Sequence, residues 1–152
     1  MTVIDIVRET IEAAEKNARN KRIKFVAADV RSMPFASSAF DAVILPDVLE
    51  HVYLPERSLS EVKRVLKPGG RVIITVPDEK KVQAAKSIIE LVPILADRLL
   101  HTKGLSPNHI NVFDEASLKS ALKKEGFKVV RLRKSPAGVG LRLMCVAVKS
   151  AE

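Results

Sequence analysis

Acidic and histidine side chains follow several predicted strands of this sequence, at the points where the strands end. Asp5 closes "TVIDI", Asp29 closes "IKFVAAD", and Asp47, Glu50 and His51 follow "FDAVILP". Open α/β sheets bind ligands beyond the carboxyl ends of their strands. Because a carboxylate accepts hydrogen bonds from both hydroxyls of a ribose, Asp5 and Asp29 predict a nucleoside site. The alternatives are a carboxylate favoured by a helix N-terminus for Asp5 and a simple turn residue for Asp29.

Several other chemistries lack their motifs in this sequence. It contains no phosphate-binding loop of the G-x-x-x-x-G-K-[ST] type, no G-x-G-x-x-G and no G-x-S-x-G nucleophile elbow. The histidines at 51, 101 and 109 lack the spacing of metal ligands, and there is one cysteine. The pattern therefore predicts no metal site and disfavours hydrolase chemistry.

The elements that must position these side chains alternate between strands and helices. Strands are predicted at 2–6, 23–29, 40–46 and 71–77, with helices at 8–21 and 56–66 and a glycine stop in "KPGG". A helical stretch over 79–101 should kink at Pro93, and a further helix begins at the predicted N-cap Asp114. Strands at 127–134 and 140–149 form a predicted antiparallel pair. The chain thus reads as one α/β domain over 1–152 whose sheet is mainly parallel.

Composition narrows the classes of protein. The net charge is +8, and residues 79–152 hold 14 basic against 7 acidic side chains. This basic half suits nucleic acid or an acidic partner, although a solvated lysine-rich face explains it as well.

The lone Cys145 fits a reducing compartment and should be buried. No apolar run is long enough to span a membrane and no signal peptide is evident, which predicts a cytoplasmic protein.

Two longer stretches resemble a known family. "VAADVRSMPFASSAFDAVILPDVLEHV" and "EVKRVLKPGGRVIITVP" are similar to the class I methyltransferases that use S-adenosylmethionine, in particular the type-11 group. The ending "PNHINVFDEASLKSALKKEGFKVV" also resembles that group. The likeness covers about residues 2–150 and implies a Rossmann-like sheet, S-adenosylmethionine as cofactor and methyl transfer as the reaction.

The resemblance also implies roles for individual residues. Asp5 matches the acidic residue that holds the cofactor ribose, and Asp29 with the backbone of Val30 matches the adenine contact. The segment from Pro46 to His51 matches the loop at the methyl-transfer site, which adds Pro46, Asp47 and Leu49 as cofactor contacts. His51 is the first candidate for a general base and His109 the second. Structural roles for both histidines remain open. Residues 79–112 correspond to the family's variable cap over the substrate.

One part of the family pattern is missing. In the family the sheet order is 3-2-1-4-5-7-6, and "TVIDI" matches strand 2, so the first central strand, its Gly-x-Gly loop and its helix have no counterpart. Four explanations are open: the chain is a fragment, a second polypeptide supplies the strand, two copies pair through exposed edges, or strand 2 pairs directly with strand 4.

These observations predict methyl transfer to an acceptor that is a small molecule, because "LPDV" replaces the "NPPY"-like motif of base methylation. The alternatives are a non-catalytic scaffold that uses exposed strand edges as a homodimer or with a partner chain, and a basic RNA-binding remnant.

Overall fold

The computed structural model describes residues 1–78, 109–134 and 142–150. Most of the predicted cap, including the helical stretch around Pro93, lies outside these residues. The described elements are listed in chain order: β1 Thr2–Asp5, α1 Arg8–Asn17, β2 Lys24–Ala27, β3 Phe40–Pro46, a 3₁₀ turn Leu49–His51, α2 Pro55–Val65, β4 Leu66–Pro77, α3 Glu115–Lys124, β5 Phe127–Lys134 and β6 Arg142–Lys149.

The strands pair as the predicted fold class requires. β1 and β2 are parallel and form a two-stranded sheet. The second sheet has the order β3-β4-β6-β5, in which β3 and β4 are parallel while β6 is antiparallel to both β4 and β5. The prediction of parallel strands with an antiparallel C-terminal pair is confirmed.

A discontinuity separates β1 from β3. In the family order, β2 and β1 correspond to strands 3 and 2, and β3-β4-β6-β5 corresponds to 4-5-7-6. All the expected neighbours pair, but the described strands include none at the position of strand 1, and β1 and β3 belong to different sheets. Direct pairing of strand 2 with strand 4 is therefore not what the structure shows.

The main core lies on one face of the four-stranded sheet. Strands β4 and β6 contribute alternating buried side chains that pack with α2 and α3 in one cluster: Val72, Ile74, Val76, Leu143, Cys145, Ala147, Leu59, Val62, Val65, Leu118 and Leu122. Ile4 of β1 packs against the same cluster. On the other face Ile44 and Met144 remain 63% and 44% exposed. The core thus depends on α2 and α3, which also orient the loops around the strand ends.

Local sequence signals explain most helix ends. Pro55 occupies the first turn of α2, preceded by Leu54 in the left-handed region with φ 62°. Asp114 caps α3 by accepting from the backbone N–H of Ser117, as predicted, and Ser117 returns a hydrogen bond to form a capping box. The "KPGG" stop was misplaced, because α2 ends at Val65 and residues 67–70 lie within β4. There the register with β3 shifts, and Gly69 adopts φ 71°.

Cys145 is buried, as predicted, and burial raises the pKa of its thiol to about 11. No helix among the described residues is both long enough and apolar enough to cross a membrane.

An ion pair on α2 fixes the loop that leads from β2 to β3. The guanidinium of Arg64 donates to both carboxylate oxygens of Glu61 at 2.7 and 2.8 Å, and also to the carbonyls of Met33 and Phe35. Glu61 in turn accepts from the backbone N–H of Met33 at 2.7 Å. The hydrogen bonds from Arg64, more than any other influence, lower the pKa of Glu61. This clamp holds the loop that begins at Asp29.

We expect Glu61→Gln to destabilise the fold by about 1–2 kcal/mol near neutral pH, because charge-assisted hydrogen bonds become neutral ones. The pKa of Glu61 is lower in the folded state, so its contribution is present above the ordinary value of 4.5 and is lost as the pH falls through the folded value. Urea unfolding at several pH values measures this difference. Glu56→Gln, an exposed change in the first turn of α2, is the control; equal effects of the two changes would contradict the clamp.

Candidate functional site

Asp5 is the last residue of β1, and Asp29 lies two residues beyond the carboxyl end of the neighbouring strand β2. The two strands are in register through Asp5 and Ala27, and the N–H of Ala28 donates to the carbonyl of Asp5 at 2.9 Å. One carboxylate oxygen of Asp5 accepts from the backbone N–H of Val7 at 2.8 Å. Asp5 therefore also supports the turn into α1, so its second oxygen is the atom best placed for a ligand hydroxyl.

The carboxylate of Asp29 is held by Arg31. The guanidinium donates to both oxygens of Asp29, at 2.6 to 3.0 Å, and this interaction lowers the pKa of Asp29. Arg31 also reaches the carbonyl of Tyr53 at 3.4 Å, which links the loop after β2 to the loop after β3. Val30 is half-buried and packs against the core. Asp29 thus orients its loop, and Asp29 with the backbone of Val30 stays the predicted adenine contact.

The loop after β3 carries the other predicted cofactor contacts. Pro46 is exposed at the end of the strand, and Asp47 follows in the left-handed region with φ 51°. The backbone N–H of Asp47 donates to the carbonyl of Thr75 at 2.9 Å, and its carboxylate pairs with Arg142 of β6. Leu49 is fully buried, so a cofactor contact at this position would involve its backbone and not its side chain.

Glu50 is the buried charge of the site. Its side chain is 1% exposed, and its Oε2 is enclosed without a hydrogen-bond partner among the described residues. Burial is the largest cause that raises the pKa of Glu50, while the nearby His51 and His109 lower it. A buried ionisable group with a shifted pKa is typical of functional sites.

Residues 109–112 are tied to the 3₁₀ turn by a dense set of hydrogen bonds. The backbone N–H groups of Ile110 and Asn111 both donate to the carbonyl of Glu50, at 2.8 and 3.1 Å. The side-chain amide of Asn111 donates to the carbonyls of Leu49 and Val52, at 2.8 and 2.6 Å. This junction places His109 next to the 3₁₀ turn.

The junction brings together two histidines that are 58 positions apart in the sequence. The rings of His51 and His109 have centroids 5.1 Å apart and are tilted by 59°. One ligand atom from each of Glu50, His51 and His109 lies within 4.8 Å of the other two.

Sequence reasoning selected both histidines but missed Asn111 and Arg142. Asn111 interrupts an apolar run, which is a weak signal, whereas Arg142 carries none.

The chain is similar in sequence to known methyltransferases. The family model for the methyltransferase domain matches residues 1–74. The chain is 32% identical over 132 residues to the demethylmenaquinone methyltransferase of Clavibacter sepedonicus, covering 80% of this chain and 54% of that protein. The chain is thus similar to the class I, type-11 methyltransferases, and the resemblance predicted from the sequence motifs is confirmed.

Solved structures share the methyltransferase fold over nearly the whole chain. A methyltransferase in a complex with the Trm112 activator of Haloferax volcanii has a TM-score of 0.76 and 17% identity, with 99% of this chain and 72% of that chain covered. The 1,6-didemethyltoxoflavin-N1-methyltransferase of Burkholderia thailandensis, with S-adenosylhomocysteine bound, has a TM-score of 0.68 and 21% identity, with 99% and 61% covered. At these identities the likeness shows the fold alone. The chain spans about half the length of the curated methyltransferase above.

We expect Asn111→Ala to lower the free energy of unfolding by about 1–3 kcal/mol, because the carbonyls of Leu49 and Val52 lose their donor. The measurement is urea denaturation followed by circular dichroism. Asn17→Ala is the matched control, since its exposed amide donates only to the Ala13 carbonyl within α1. A loss no larger than that of the control would show that the junction does not depend on this amide.

Proposed function

We propose that the chain binds S-adenosylmethionine and transfers its methyl group to a small-molecule acceptor. The observation that carries the proposal is the placement of Asp5 and Asp29 at neighbouring strand ends, joined through Arg31 to the loop after β3. The loops after the parallel strands are where open α/β sheets bind nucleotides. The shared family supports the same activity.

The residues at the strand ends fit the adenosine half of S-adenosylmethionine better than its amino-acid half. Asp5 offers a carboxylate oxygen for the ribose, and Val30 offers backbone for the adenine side. The amino-acid tail is held in the family by a Gly-x-Gly loop, and the first glycine of this sequence is Gly69. The adenosine half therefore fits the described residues, while the tail needs groups that they do not contain.

The chain's own residues would mainly hold the two reactants in line. The cofactor supplies a methyl group that is already activated, so positioning provides most of the catalysis. A proton acceptor is needed only when the acceptor atom carries a proton, and His51 and His109 are the candidates beside the loop. A relative's name, demethylmenaquinone methyltransferase, favours an acceptor of the quinone class.

A second candidate function follows from the discontinuity between β1 and β3. In the described sheets, β1 pairs only with β2 and β3 pairs only with β4. The other edge of each of these two strands is unpaired there, and an unpaired edge favours the addition of a strand. We infer that a strand from a partner chain or a second copy completes the sheet, in which case the isolated chain is a scaffold or subunit. The solved complex with the Trm112 activator is a precedent for a partner of this fold.

We expect Asp5→Ala to weaken the binding of S-adenosylhomocysteine at least tenfold, because the ribose loses its carboxylate partner; tenfold corresponds to about 1.4 kcal/mol. Isothermal titration calorimetry on the purified chain measures this change. Asp41→Ala is the control, since Asp41 is an exposed aspartate at the opposite end of a strand, paired with Lys67. Unchanged binding by Asp5→Ala would show that Asp5 does not contact the ribose.

The same titration separates the two candidate functions. Saturable binding by the isolated chain supports the enzyme. A folded, monodisperse chain that binds no S-adenosylhomocysteine supports the scaffold.

A further inference from the structure

We propose that Glu50, His51 and His109 form a binding site for a divalent transition-metal ion such as Zn²⁺. The three side chains come from the 3₁₀ turn and from the segment before α3, and their ligand atoms lie within 4.8 Å of one another. Two imidazoles and one carboxylate are a donor set that zinc uses with a further position open. This inference does not depend on methyl transfer.

The buried carboxylate of Glu50 points to a ligand independently of the cluster. Its side chain is 1% exposed, and its Oε2 has no hydrogen-bond partner among the described residues. An enclosed anionic oxygen without a partner is costly. A cation at this position supplies the missing interaction.

The two histidines complete the site from the solvent side. His51 is exposed and His109 is half-buried, so an ion can enter and water can occupy an open coordination position. Ligand atoms on a tetrahedral zinc with bonds of about 2.1 Å lie about 3.4 Å apart. The observed limit of 4.8 Å therefore requires the ligand atoms to approach one another by up to about 1.4 Å when an ion binds.

Backbone hydrogen bonds fix the ligand positions. The N–H groups of Ile110 and Asn111 bind the carbonyl of Glu50 itself, and the amide of Asn111 spans the turn from Leu49 to Val52. The two backbone segments that carry the ligands are thus held together before an ion binds, which favours the affinity for the ion. With an ion bound, the two imidazoles would serve as ligands and not as proton acceptors.

The experiment measures Zn²⁺ binding to the full chain after removal of metal with a chelator, in the absence of cofactor and acceptor. Competition with a chromophoric chelator gives the affinity, and Co²⁺ absorption reports the coordination. We expect one Zn²⁺ per chain, and a loss of affinity of at least tenfold in Glu50→Gln, His51→Ala and His109→Ala. Absence of stoichiometric Zn²⁺ binding by the wild-type chain would overturn the proposal.

Three further comparisons guard against a loss caused by misfolding or by chance binding. Without metal, the Glu50→Gln chain should melt no lower than the wild type, because it no longer buries a charge. Addition of Zn²⁺ should raise the melting temperature of the wild type but not that of the Glu50→Gln chain. Glu56→Gln and His101→Ala should keep full affinity. If the loss of His101 weakens binding as much as the loss of His109, or if Glu50→Gln keeps its affinity, the assignment of these three ligands is wrong. Because neither cofactor nor acceptor is present, the proposed methyl transfer stands or falls separately.

Discussion

The candidate site depends on the hydrogen bonds that join Asn111 and its neighbour Ile110 to the turn at residues 49–52. A 3₁₀ turn of three residues leaves most of its carbonyls without partners inside the turn. Here the carbonyls of Leu49 and Glu50, and that of Val52 just after the turn, accept from a distant segment. The hydrogen bonds that satisfy the turn therefore also place His109.

The same region concentrates features that cost stability. Glu50 is buried, and one of its carboxylate oxygens has no hydrogen-bond partner in the part of the chain that the structure describes. The loop around it is bounded by Asp47 and Leu54, both non-glycine residues in the left-handed region. Such conformations cost about 1–3 kcal/mol each and persist where the surrounding structure fixes them. Thr75 and Arg142 fix Asp47, and the start of α2 at Pro55 fixes Leu54. Strain and a buried charge in one loop are typical of a functional site and not of a simple connection.

The strands are divided between two sheets, and this division bears on cofactor binding by the isolated chain. The core formed by β4, β6, α2 and α3 does not depend on β1 and β2 for most of its packing. The predicted adenosine contacts at Asp5 and Val30, however, belong to β1, β2 and the loop that follows. Among the contacts described above, these parts are connected by Ile4, by Val30, by the loop clamp at Arg64 and by the hydrogen bond from Arg31 to the carbonyl of Tyr53. The proposed binding of a nucleoside would therefore depend on how firmly the two sheets are held together.

The sequence by itself determined the element types, the family and the residues at the strand ends, because these follow from local periodicity, capping residues and short motifs. Asp114 as N-cap and the parallel order of β3 and β4 are examples. It did not determine that "KPGG" lies inside β4, since the strand is extended toward α2 by its pairing with Phe40. Nor could it show that Glu50 is buried, that Arg31 occupies the carboxylate of Asp29, or that His109 lies beside His51. The two histidines are 58 positions apart, and the hydrogen bonds that join their segments span up to 62 positions, so only the packing of the whole chain brings them together.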